Sequence, residues 1–131
     1  MSSQAMAGAV IYAKNISLVS KFYAGTIGFD VAHTEADHVM LESPAFQLVV
    51  LAIPPTIASS IEIASPPSRL AETPIKLVFF VPDIAAAREA AARLGGQLNP
   101  PGQEWRFQQS TVCDGHDPEG NVLQLRERKT D

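Results

Sequence analysis

The side chains best suited to chemistry gather near the C-terminal end, where Cys113, Asp114 and His116 are close neighbours. A Cys-x-x-His spacing invites a transition metal, because thiolate and imidazole are favoured donors for such ions. No second pair with ligand spacing accompanies it. The group also stands just before Asp117-Pro118-Glu119-Gly120-Asn121, a segment of turn-forming residues, so His116 reads as a structural or solvent-facing turn residue. Cys113 is the only cysteine, which excludes an internal disulfide and a multi-cysteine zinc site; a reduced, partly buried thiol is expected. His33 and His38 flank an expected turn between two strands, where exposed polar residues are ordinary. No Ser-His-Asp order, glycine-rich phosphate loop or paired-carboxylate constellation appears, so nucleophilic and phosphoryl-transfer chemistry have no support. No catalytic residue is assigned.

The elements that carry these groups belong to a unit that occurs twice. Val10-Ile11-Tyr12-Ala13-Lys14-Asn15-Ile16 matches Val78-Phe79-Phe80-Val81-Pro82-Asp83-Ile84 at an offset of 68 positions (10 to 78), and the same offset carries Gly28 onto Gly96. Asn15 and Asp83 are good N-caps at the point where an apolar strand gives way to helical spacing. Ile16, Val19, Phe22, Tyr23 and Ile27 then share one helical face, with Gly28 free to take the left-handed position beyond it. In the second copy Ile84, Ala87, Ala91 and Leu94 do the same, ending at Gly95-Gly96. Strands are expected at Asp30 to Thr34, His38 to Glu42 and Phe46 to Ile53, and then at Gln97 to Leu98, Trp105 to Cys113 and Asn121 to Arg126. Pro54 to Pro74 reads as a linker with room for a short strand at Ile61 to Ala64.

The expected fold is therefore α+β: one domain over residues 1–131, with module 1 at about 6–53, the linker at about 54–74 and module 2 at about 75–128. The two βαβββ modules pair into a curved mixed sheet around a central groove, with helices on the outer face. A formal net charge of -4 repels a phosphate backbone and argues against nucleic acid as a partner. The longest apolar run, Phe46 to Pro55, is well short of the ~20 residues that cross a bilayer, and no secretory start is seen. A cytoplasmic location without membrane contact is expected.

Two segments resemble a known superfamily. VIYAKNISLVSKFYAGTIGFDV is similar to the strand, helix and "FY…LGF" opening of the vicinal-oxygen-chelate proteins, the glyoxalase, bleomycin-resistance and extradiol-dioxygenase group, and DPEGNVLQL resembles their closing turn and strand. A turn alone would use the same Pro, Gly and Asn, but the duplication around it adds specificity. The resemblance implies up to four metal ligands, on the first and fourth strands of each unit. The first-strand position, seven residues ahead of the helix cap, is Gly8 in one copy and Lys76 in the other; the last-strand position is Gln124, and its counterpart falls on Gln47, Val49 or Val50. Glycine has no donor, an ammonium repels a cation, and a neutral amide is a poor ligand beside carboxylate or imidazole. No metal and no cofactor are expected.

If the ligand positions face the groove, strand alternation turns Val10 and Tyr12 inward with Gly8, Val78 and Phe80 with Lys76, and Val122 and Arg126 with Gln124. The expected ligand-binding set is Tyr12, Gln47, Lys76, Phe80, Trp105, Gln124 and Arg126, suited to a small anionic or aromatic molecule. A cationic ligand of the bleomycin type suits Lys76 and Arg126 poorly. A metal-dependent lyase, isomerase or dioxygenase with a displaced metal site is the alternative, and an interaction protein with a filled groove is a third reading. The resemblance further implies a homodimer, either side by side or by exchange of a module.

Overall fold

The computed structural model describes residues 7–70 and 72–128. Its first module is β1 (Ala7–Ala13), α1 (Ile16–Ile27), β2 (Asp30–Thr34), β3 (His38–Ser43) and β4 (Phe46–Ala52). A four-residue helix, α2 (Pro55–Ala58), opens the connection. The second module is β5 (Leu77–Phe80), α3 (Ile84–Arg93), β6 (Gln97–Leu98), β7 (Trp105–Phe107), β8 (Ser110–His116) and β9 (Val122–Arg128).

Both helices start where the sequence places them. Asn15 Oδ1 accepts from the Leu18 amide at 3.1 Å, and Asp83 Oδ1 from the Ala85 amide at 3.0 Å, satisfying donors that the first turn leaves unpaired. Gly28 ends α1 at φ 99°. In the second copy the left-handed residue is Gly95 (φ 95°), the first of the expected Gly95-Gly96 pair and one place ahead of the repeat counterpart of Gly28. Gly96 meets a different need: a Cβ there would lie 2.3 Å from Phe22 Cε1 and 2.6 Å from the His116 carbonyl oxygen, so only glycine lets α1 approach the second module this closely.

Each module keeps its own sheet, ordered β1-β4-β3-β2 and β5-β9-β8-β6, with β7 also paired to β8. The β1–β4 and β5–β9 pairs are parallel and the others antiparallel. One face of each sheet is covered by helix and core, with Leu41, Leu48, Val50, Leu123 and Leu125 buried there. The modules join through aromatic rings: Phe79 lies 5.7 Å from both Phe29 and Phe46 and 6.0 Å from Tyr23, centroid to centroid. The buried rings among them, Tyr23, Phe29 and Phe79, each stabilise by about 1.5–3 kcal/mol.

Three expectations need correction, and a fourth is narrowed. The linker has no strand at Ile61 to Ala64; its regular structure is α2. Trp105 to Cys113 is a hairpin rather than one strand, turned at Gln108 (φ 53°), where no glycine or asparagine marks the bend. Cys113 is fully buried. Of the two readings of His116 the structural one holds and the solvent-facing one does not: it ends β8, is buried, and donates Nδ1–H to the Asp117 carbonyl at 3.0 Å. The turn after it also does more than reverse the chain. Asp117 accepts from the amides of Glu119 and Asn121 and from the Tyr23 hydroxyl at 2.9 Å, while Glu119 accepts from the amides of Lys14 (2.8 Å) and Asn15 (2.6 Å). One turn thus fastens module 2 to the head of α1.

Candidate functional site

The open face of the second sheet follows from strand register. Val78 pairs with Gln124 and Gln124 with Asp114; Phe80 pairs with Arg126, Arg126 with Val112 and Val112 with Trp105. Residues directly opposite one another share a face, so these form two adjacent rows across the sheet. Cys113, Leu123 and Leu125 alternate to the helix side.

At the centre of the face sits the Asp114 carboxylate, itself buried. Gln124 Nε2 donates to its Oδ1 at 3.0 Å, Lys76 Nζ donates to Oδ2 at 2.9 Å, and an Arg69 guanidinium nitrogen stands 3.5 Å from Oδ2. The Gln124 oxygen in turn accepts from Arg126 Nε at 2.9 Å. Arg126 lies 5.0 Å over the Phe107 ring and Arg128 lies 4.2 Å over Phe80, so aromatic faces hold both guanidinium groups. Lys76 and Arg69 stand directly at the one carboxylate, Arg126 reaches it through Gln124, and Arg128 adds a further cation farther along β9 on the same face.

Lys76, Gln124 and Arg126 are thus brought together, with Phe80 and Trp105 in the same row as Arg126. Tyr12 and Gln47 are on the open face of the other sheet: Gln47 stands opposite Gly8, and Tyr12 opposite Leu51. Tyr12 and Ile75 line a cleft of about 400 Å³ between the modules, and Phe80 lines another of about 340 Å³ beside Phe46. The seven residues do not meet in one pocket of a single chain. A larger recess, about 680 Å³, opens at the head of α1, but its polar groups are engaged in folding: Glu119 holds two amides, Asn15 caps the helix, and Lys14 Nζ donates to the Ile61 carbonyl. Chemistry rather than volume therefore selects the Asp114 face.

Asp114, noted in the sequence beside Cys113 and His116, was not expected in the groove, and Arg69 was not anticipated at all. Asp114 was discoverable, since pairing β8 with β9 across the Asp117–Asn121 turn puts it opposite Gln124. Arg69 comes from the linker, which docks through the Leu70 amide on the Gly120 carbonyl at 2.9 Å. Nothing in the spacing of linker residues signals that. Cys113 is poorly placed to act as a nucleophile: its side chain is fully buried, and burial pushes its thiol up, against the pull of Arg88 at 3.6 Å.

The Glyoxalase-like domain family matches residues 8–126, nearly the whole chain. The chain belongs to that family. Solved structures agree on the glyoxalase-like fold. A glyoxalase/bleomycin resistance protein/dioxygenase family enzyme from Burkholderia phytofirmans superposes with a TM-score of 0.70 at 17% identity, covering 96% of this chain and 100% of that one. A glyoxalase/bleomycin resistance protein from Albidiferax ferrireducens gives 0.66 at 18%, covering 94% and 98%. An antibiotic binding protein from a Streptomyces species gives 0.60 at 18%, covering 97% of each. No curated protein matches the sequence.

Register also tests whether this glyoxalase-like domain can hold the metal its superfamily implies. Val10 is the counterpart of Val78, and Val10 stands opposite Val49 as Val78 stands opposite Gln124, so Val49 is the first-module counterpart of Gln124. The four positions are then Gly8, Val49, Lys76 and Gln124. Glycine and valine offer no donor, Lys76 is a cation, and the Gln124 oxygen is engaged by Arg126. A Cβ on Gly8 would also stand 2.9 Å from the Gln47 carbonyl oxygen. The residues do not fit a divalent ion there, and no cluster of three or more His, Cys, Asp or Glu with metal-binding geometry occurs elsewhere among the described residues. No described helix is long and apolar enough to cross a membrane.

Proposed function

We propose that this glyoxalase-like protein binds a small anionic molecule bearing an aromatic or apolar part, without a metal, in a groove whose anion-binding wall is the open face of module 2. The observation that carries this reading is the surplus of cations around Asp114, with Phe80, Trp105 and Phe107 exposed beside them. A guanidinium held over a ring can pair with an anion while the ring supplies apolar area. The antibiotic binding protein among the structural relatives supports a binding role for this fold.

The facing wall is the open face of module 1 from a second copy, making a homodimer. Val10 and Tyr12 on that face are more than half exposed, and the row from Gly8 through Gln47 continues to Glu42 and Asp30. An acidic, apolar face suits the basic, aromatic one. The unpaired Cys113 fits a reducing, cytoplasmic setting.

Titration of chelator-treated protein with 2-naphthoate, followed by calorimetry, tests the binding reading, and sedimentation tests the dimer. Saturable binding and a two-chain mass are expected; no heat with any aromatic anion contradicts the first, and a monomer at all concentrations contradicts the second.

A further inference from the structure

The Asp114 face is unusual in holding its own salt. Its carboxylate is the only one on the described part of that face, and both of its oxygens are occupied, Oδ1 by Gln124 and Oδ2 by Lys76 and Arg69. The cations are not used up in return. Lys76 and Arg69 side chains stay 37% and 41% exposed; Asp114 takes one of the three ammonium donors of Lys76, while Arg69, with five N–H donors, meets it only as an ion pair at 3.5 Å.

From this we infer that Asp114 is a built-in stand-in for the ligand: it keeps Lys76 and Arg69 converged while the groove is empty, and the carboxylate of an incoming aromatic acid takes over those donors. Lys76 stands at the position where the superfamily pattern implies a metal ligand, so the chain replaces a bound ion with a tethered one. The ligand class is then a monoanionic carboxylate on a ring, its oxygens on Lys76 and Arg69 and its ring in the Phe80–Trp105 row. A neutral amide of the same shape gains little from the cations. This rests on the binding reading above and adds a role for Asp114 that is opposite to that of a recognition residue: it competes with the ligand.

The signs follow from Coulomb's law. A fixed negative charge a few ångströms from the incoming carboxylate opposes it, so neutralising Asp114 strengthens anion binding by about tenfold. The test compares 2-naphthoate with 2-naphthamide on the full-length wild type and on Asp114→Asn by calorimetry, with Asp114→Ser as a second neutral variant should the first fail to fold. Tighter naphthoate binding with naphthamide unchanged supports the inference. Weaker or unchanged naphthoate binding by the variants overturns it while leaving the binding reading intact. No binding of naphthoate by any of the proteins overturns both. In the wild type, the Lys76 Nζ resonance, assigned by nitrogen NMR, must shift with naphthoate; an unmoved resonance at saturation overturns the competition.

Discussion

The Lys76 ammonium lies 2.9 Å from Oδ2 of Asp114, and the two residues come from β8 and from the residue just ahead of β5, strands separated by β9. Their pairing puts a tethered cation where the superfamily pattern implies a metal ligand. A double change, Lys76→His with Gln124→Glu, supplies one imidazole and one carboxylate at those positions. Zinc or nickel affinity is expected to rise by at least about tenfold over wild type in calorimetry. Equal affinity in both proteins contradicts the assignment of those positions.

The close approach at Gly96 predicts a stability cost for any larger residue. A methyl group there meets Phe22 and the His116 carbonyl at well below contact distance. Gly96→Ala is expected to lose about 1–3 kcal/mol in urea unfolding. Gly102, with open space around it, serves as the control, and Gly102→Ala is expected to stay near wild type.

Glu119 reaches across the modules to the amides of Lys14 and Asn15. Glu119→Ala leaves two donors without their charged acceptor at the head of α1 and is expected to cost about 1–3 kcal/mol. Amide exchange should quicken first at Lys14 and Asn15. Unchanged protection there contradicts the latch.

Asp117 gives a pH signature. Burial is the largest influence on its carboxyl and raises its pKa above 3.8, against the lowering effect of the donors from Asn121, Glu119 and Tyr23. A carboxyl whose folded pKa is raised favours the folded state most when protonated. Its contribution is full below 3.8 and is lost as pH rises through the raised value. Relative to Asp117→Asn, the wild type is therefore expected to lose stability as pH climbs through the acid range and then level off. Urea unfolding of both proteins from acid to neutral pH reads this; a difference that is flat with pH contradicts it.

Most of the fold was legible in the sequence because it rests on short-range signals said twice: Asn15 and Asp83 as caps, Gly28 and the Gly95-Gly96 pair as stops, and apolar strands between them. The exact stop at Gly95 was not, since Gly96 is fixed by contacts from α1 and β8 that are remote in sequence. The Gln108 turn was hidden because a non-glycine residue there adopts a positive φ. For the site, strand alternation puts Gln124 and Arg126 on one face, and Lys76, just ahead of β5, joins them there through Asp114. Which of Gln47, Val49 and Val50 matches Gln124 needed the β1–β4 register, and the part played by Arg69 needed the folded linker.

The most direct measurement is 2-naphthoate binding by chelator-treated, metal-free wild type beside Lys76→Met, with metal content determined on the same samples. The wild type is expected to bind saturably, and Lys76→Met to bind at least about tenfold more weakly. Binding that appears only after zinc, nickel, manganese or iron is restored, or that is indifferent to the loss of the Lys76 charge, contradicts a metal-free anion site.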